Sequence, residues 1–300
     1  MWHLDPVLHR EMPTIKPLFS LVLILIFILS ACGLANYVLP ATTDMGTPVS
    51  SIAGAGLPAS LPRPRALSVY AAASLTDAFQ EIGREFEAAH PGVVVNFNFA
   101  GSQVLRTQLE HGAVADVFAS ADLTNMEWLI ADNLVAADSD QAFVTNRLVV
   151  ILPPGNPAEV DSLVDLARPD LKLILADPSV PAGNYARQVL LNLSQDPIYG
   201  TDFSSIVLGH VVSNETDVRQ VVTKVELDEA DAGIVYISDA IATPGLITLP
   251  IPDKFNVMAQ YPIAILTSSP LPDLAAAFVG YVTSPAGQAI MSKWGFTPGP

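Results

Sequence analysis

Residues 67–86 read LSVYAAASLTDAFQEIGREF, and two periodicities meet inside this stretch. Leu67 to Ala71 is a short run with the character of a strand. From there on, Leu75, Ala78, Phe79, Ile82 and Phe86 fall at i, i+3, i+4, i+7 and i+11, with Asp77, Glu81, Arg84, Glu85 and Glu87 between and beyond them. That spacing predicts one buried stripe on an amphipathic helix. A strand that runs straight into such a helix is the opening half of a βαβ unit.

The same alternation continues to the end of the chain. Strands are expected at Leu67 to Ala71, Val93 to Phe99, Asp116 to Ala119, Arg147 to Leu152, Leu171 to Ala176, Ile206 to Val211, Ala232 to Tyr236 and Tyr261 to Leu266. Helical periods fill Val104 to Glu110, Leu123 to Ala131, Asn184 to Leu193, Asp217 to Leu227, Leu271 to Val282 and Ala286 to Lys293. This is more chain than one ordinary domain needs, and Pro-Gly interruptions at Pro153-Pro154-Gly155 and between Pro244 and Pro252 offer places to divide it. The reading is an α/β protein of two lobes, each a mixed, mainly parallel sheet flanked by helices. Residues 67–146 plus 255–300 form the first lobe and residues 147–254 the second. In open α/β sheets ligands bind at the carboxyl ends of strands, so the crevice between the lobes is the expected site.

Composition narrows what could bind there. Thirty acidic residues against 14 basic ones give a net charge of −16 over 300 residues, a balance that argues against nucleic acid. One cysteine and five scattered histidines offer no metal-ligand spacing. That cysteine, Cys32, follows Leu29-Ser30-Ala31 at the end of the apolar run Leu18 to Leu29. The run is short of the roughly 20 residues that span a bilayer and reads as the core of a signal segment. Leu-Ser-Ala-Cys at its end resembles a bacterial lipobox, which implies cleavage after residue 31 and lipidation of the Cys32 thiol. Met12 is a plausible initiator, because a start there leaves Lys16 as a lone positive charge ahead of the apolar run. Residues 32–66, rich in Ala, Pro, Gly and Ser, read as a tether. Within it Gly54-Ala-Gly56-Leu-Pro-Ala59 matches a dinucleotide fingerprint only formally, since no strand precedes it and a proline stands where a helix would start.

Several strand-to-helix junctions carry small or hydroxyl residues and no acid at the turn. Ser74 precedes the first helix with Asp77 three residues on, the pattern of a capping box. Gly101-Ser102 leads into Val104, and Pro178-Ser-Val-Pro181-Ala182-Gly183 leads into Asn184. The junction Asn214-Glu215-Thr216-Asp217-Val218 is the exception in carrying acids. Any one of these alone is ordinary capping. Several converging on one crevice would present orphan N–H groups and positive helix ends to an oxyanion with no lysine or arginine, which reconciles an anion ligand with an acidic protein.

These residues resemble the periplasmic molybdate-binding proteins of ABC importers. The resemblance rests on Ala71-Ala-Ala-Ser-Leu-Thr-Asp-Ala-Phe79, Gly112-Ala-Val-Ala-Asp116-Val-Phe-Ala-Ser-Ala-Asp122, Asp177-Pro-Ser-Val-Pro-Ala-Gly-Asn-Tyr-Ala186, Asp217-Val-Arg219, Ala232-Gly-Ile-Val-Tyr-Ile-Ser-Asp239 and the closing Ser284-Pro-Ala-Gly-Gln288 to Trp294-Gly-Phe296. They occur in order and cover residues 67–297. The resemblance implies a type II periplasmic-binding-protein fold and a tetrahedral dianion, molybdate or tungstate, held by Ser74, Ser102, Ala182, Val218 and Tyr236. It implies no cofactor and no cation ligand, delivery to an ABC permease and its ATPase, and a monomer outside the cytoplasm, anchored to the membrane through Cys32. Two positions depart from the family pattern: Gly101 stands where a hydroxyl is common, and Ile237 follows the tyrosine where a small or polar residue is common.

Two other classes compete. A secreted serine hydrolase would use Ser74 or Ser102 with His90, His111 or His210, but no G-x-S-x-G elbow surrounds either serine. A receptor for sulfate, phosphate or an organic acid would need, for the last two, an acidic acceptor or an arginine clamp. Asp77 and Arg219 are the candidates, with a capping acid and a surface arginine as their ordinary roles.

Overall fold

The computed structural model describes residues 65–299; the apolar segment, Cys32 and residues 32–64 of the tether lie outside the described residues. In chain order the first part comprises β1 (Arg65–Ala72), α1 (Thr76–Ala89), β2 (Val93–Ala100), α2 (Ser102–Glu110), β3 (Val117–Ala119), α3 (Leu123–Ala131) and β4 (Gln141–Asn146). Then come β5 (Leu148–Leu152), β6 (Leu173–Ala176), α4 (Pro181–Leu193), α5 (Phe203–Gly209), β7 (Val211–Glu215), α6 (Val218–Glu226), β8 (Ala232–Tyr236), α7 (Ile237–Ala242) and β9 (Ile247–Pro250). The chain closes with β10 (Ala259–Ile265), α8 (Pro272–Thr283), α9 (Pro285–Lys293) and β11 (Thr297–Pro298).

These strands form two sheets, ordered β11-β4-β10-β3-β1-β2 and β7-β6-β8-β5-β9. β1 lies parallel to β2 and β3, and β6 parallel to β7 and β8, whereas β10 and β5 run antiparallel to their neighbours. The chain passes from the first sheet to the second between Asn146 and Leu148 and returns between Pro250 and Ala259. Asn256, on the return, clamps the outgoing strand by accepting from the Leu148 N–H at 3.0 Å and donating to the Leu148 carbonyl at 2.8 Å. The two crossings are thus braced as one hinge.

The first helix buries the stripe its spacing predicts: Ala78, Phe79, Ile82 and Phe86 are at most 1% exposed. Phe79 and Phe86 meet Phe278 of α8 edge-on, which fastens the last part of the chain to the first sheet. α3 spans the residues its period marks. One expected strand is corrected: Ile206 to Val211 falls mostly in α5, and the strand is Val211–Glu215. Phe203 and Val207 are buried one helical turn apart while Ile206 is exposed, so tertiary packing overrides the β-branched character of Ile206-Val207. β4, β9 and β11 were not anticipated; β9 and β11 are short edge strands with mostly exposed side chains and a proline each, features that mask a strand in sequence.

Candidate functional site: a cavity lined by helix starts

β1, β2, β6, β7 and β8 all end facing the crevice between the sheets, and each hands over to a helical turn within a few residues. Ser74, Ser102, Ala182, Val218 and Tyr236 line one small cavity. All five are at most 3% exposed. No charged side chain is among the residues that line it.

Each junction frees a donor in its own way. After β1 a single 3-10 turn, Ala73–Leu75, precedes α1, whose cap residue is Leu75 with no side-chain cap. Ser74 is therefore not the capping residue its spacing suggests. Its hydroxyl instead bonds the Tyr261 hydroxyl at 2.9 Å. At α2, Gly101 is the cap and Ser102 the first helical residue. The Ser102 Oγ accepts from the Ala121 N–H at 3.0 Å, so its own proton is left for a ligand. At α4, Pro181 occupies the first position, where a missing N–H costs nothing, and the amides of Ala182 and Gly183 belong to the unsatisfied first turn. Asp217 caps α6 and takes up the Arg219 and Gln220 N–H groups at 2.9 and 3.1 Å. The Val218 N–H precedes both and is not engaged by that cap.

Tyr236 ends β8 with its ring edge-on to Tyr261, the centroids 5.7 Å apart. Its hydroxyl is buried with no hydrogen-bond partner in the protein. Burial, reinforced by the neighbouring Tyr261 and Tyr185, holds that phenol well above the ordinary tyrosine range, so it stays a donor at any physiological pH. An orphaned buried O–H costs about 1–3 kcal/mol, a cost a bound acceptor would relieve.

Asp77 and Arg219 do not play the roles their positions suggest in sequence. Arg219 pairs with Asp77 and, at 3.1 Å, with Asp239 Oδ1, and it is not among the residues that line the cavity. Sequence reading had no signal for this triad, since the Arg219–Asp77 pair spans 142 residues. Nor did it mark Tyr261, the partner of Ser74. Of the histidines, His90 stacks on Phe86, His111 bonds the Thr107 carbonyl and His210 bonds the Leu166 carbonyl; none of the three lines the cavity.

Asp239 is fully buried beneath the cavity wall, with Oδ2 accepting from the Tyr236 N–H at 3.2 Å. Burial raises its carboxyl from 3.8 to about 6, against the pull of Arg219 and the Tyr236 N–H, with Asp217 adding to the rise. A folded value above the unfolded one means the folded chain holds this proton more tightly. The resulting stabilisation is complete below about pH 4 and is lost as the pH rises through about 6. A shift of about two units corresponds to about 3 kcal/mol. Urea titrations are therefore expected to show the wild type gaining about 2 kcal/mol of this relative to Asp239→Asn between about pH 7.5 and 4.5. Stability curves that stay parallel across this range would contradict the assignment.

Comparison with known proteins agrees with this architecture. Residues 67–297 match the family described as bacterial extracellular solute-binding protein. The molybdate-binding protein ModA of Mycobacterium tuberculosis is 41% identical over 249 residues, 81% of this chain and 90% of that protein. ModA of Escherichia coli is 32% identical over 239 residues, 77% of this chain and 88% of its own length. Among solved structures, the periplasmic molybdate-binding protein of Azotobacter vinelandii superposes with a TM-score of 0.67 at 22% identity, over 78% of this chain and all of its own. With a family model matched over nearly all the described residues and ModA relatives above 30% identity, the chain belongs to the bacterial extracellular solute-binding proteins.

Proposed function

We propose that this protein captures molybdate, and tungstate equally, in the cavity between its lobes and delivers the anion to an ABC permease. The observation that carries the reading is a buried cavity furnished with N–H and O–H donors and lined by no charged side chain. Ser74 and Ser102 would contribute hydroxyl and amide donors from the first lobe, Ala182 and Val218 backbone N–H from the second, and Tyr236 its unpartnered phenol. Hydrogen bonds to a charged ligand contribute about 1.5–3 kcal/mol each, so five donors suffice for tight capture after desolvation of the anion and closure of the lobes are offset. The relatives named molybdate-binding support the choice of anion.

Phosphate fits less well. At neutral pH it carries a proton that needs an acceptor; no carboxylate lines the cavity, and the candidate the sequence offers, Asp77, is engaged by Arg219. An organic acid lacks its arginine clamp for the same reason. Tungstate has the shape and charge of molybdate, and nothing in a set of neutral donors separates the two.

Calorimetric titration of the mature protein with molybdate, tungstate, sulfate and phosphate tests the proposal. One-to-one binding of the first two with no heat from the last two is the expected result, and silence from molybdate would end this reading. We also propose that Cys32 carries the lipid that holds the protein, as a monomer, at the outer face of the membrane, with residues 32–64 as its leash. Cys32→Ser is expected to move the protein from the membrane to the soluble fraction and to abolish labelling by a fatty-acid analogue; persistent labelling would refute the anchor.

A further inference from the structure

The crevice is shut by side chains that the ligand set does not include. Among the described residues Arg219–Asp77 is the one ion pair that joins the two lobes: α1, which carries Asp77, packs on the first sheet, and α6, which carries Arg219, packs on the second. The other five ion pairs apart from Arg219–Asp239 stay within a lobe or beside the hinge. Arg219 is itself held from behind by Asp239 at 3.1 Å, a carboxylate of its own lobe at the start of α7. Three residues upstream of Arg219, the Thr216 carbonyl accepts from Gln103 Nε2 of the first lobe at 2.9 Å. The lobes approach so closely here that a Cβ on Gly101 would stand 2.6 Å from the Thr216 oxygen. Both cross-lobe contacts therefore grip the residues that flank Val218 in sequence, Thr216 on one side and Arg219 on the other.

From this geometry we infer that Arg219 and Asp77 form a latch, seconded by Gln103 and Thr216, that holds the closed form and sets the rate at which the anion leaves. The inference rests on the binding reading above. Arg219 is a positioning residue here and touches no ligand. Its guanidinium is pre-aimed by Asp239, so closing the lobes orders little beyond the Asp77 side chain. The pair borders an open groove lined also by Thr76, Phe99 and Asp217, and its two side chains remain 25% and 31% exposed. Water and salt therefore reach it, which makes it a reversible fastening.

Opening must break the latch before the anion can escape, whereas an arriving anion meets lobes in which the latch has not formed. Asp77→Asn removes only the cross-lobe partner and leaves Arg219 on Asp239. In stopped-flow fluorescence, where Trp128 reports because it shares a cleft-mouth groove with Pro178 and Ser179 of the other lobe, the variant is expected to release molybdate about 10-fold faster with an unchanged association rate. Asp77→Glu, which keeps the carboxylate, is expected to restore slow release, and the thermal midpoint of the ligand-free protein is expected to stay that of the wild type. Equal release rates for wild type and Asp77→Asn would overturn the latch while leaving molybdate capture intact. If the wild type takes up no molybdate, the binding reading fails on its own, and small-angle scattering then decides the latch: an Asp77→Asn protein more extended than the wild type supports it, and identical profiles refute it.

Discussion

Replacing both Ser74 and Ser102 by alanine is expected to weaken molybdate binding by a factor of about 10² to 10⁴, because each hydroxyl donates to a charged ligand at about 1.5–3 kcal/mol. The two serines reach this role by different supports. Ser74 leans on Tyr261, 187 residues away in sequence, and Ser102 on the Ala121 amide. The single variants should consequently differ in stability more than in affinity. Ser102→Ala leaves the buried Ala121 N–H without its partner and is expected to cost about 1–3 kcal/mol of folding stability. Ser74→Ala leaves the Tyr261 hydroxyl unpartnered by Ser74, but the bond lost is between two neutral hydroxyls, about 1 kcal/mol. Both variants retain the sheets and helices, so circular dichroism should be unchanged while calorimetry reports the loss. Wild-type affinity in the double variant would place the ligand elsewhere.

How far such a site can be read from sequence depends on the range of the interactions that build it. The junctions at Gly101-Ser102, Pro181-Ala182 and Asp217-Val218 were legible because turn residues and apolar periodicity are local signals, although two of the helices begin two and three residues earlier than their periods mark. Their convergence followed from the rule that parallel strands present their carboxyl ends to one crevice. The role of Ser74 was half legible. A serine with an acid three residues later reads the same whether its hydroxyl turns to the helix or to the cavity, and the decision is made by Tyr261 on a strand of the far end of the chain. Asp77 and Arg219 were misread for the same reason: each sits at a helix start where a local role is available, and the pairing that overrides it is a matter of lobe closure. In the fold, Ile206-Val207 shows the reverse case, a local preference for strand overridden by the burial of Phe203 and Val207 on one helical face.

Gly183→Ala, a change of one methyl group, is expected to abolish tight binding. A Cβ there would stand 2.1 Å from the Asp177 carbonyl oxygen and 2.3 Å from that of Ala176. Both obstacles are backbone, and Arg187 pins one of them to the helix start by donating to the Ala176 and Gly183 carbonyls at 2.9 and 2.8 Å. The methyl can be accommodated only by lifting the start of α4 off the end of β6. That movement carries the Ala182 amide away from the cavity and frees Arg187 from its carbonyls. Overpacking of this kind costs about 1–3 kcal/mol or somewhat more, and the affinity should fall at least about 100-fold as one donor is displaced and the cavity misshapen. The chain contains its own control. Pro285-Ala286-Gly287 opens α9 as Pro181-Ala182-Gly183 opens α4, and a Cβ on Gly287 would meet the Tyr281 and Val282 carbonyls at 2.3 and 2.5 Å. The local strain is the same, but α9 does not line the cavity. Gly287→Ala should therefore lose comparable stability and keep its affinity for molybdate. Calorimetry and thermal melting of the two variants side by side separate general destabilisation from displacement of a binding amide, because only the second mechanism makes Gly183→Ala fail where Gly287→Ala still binds.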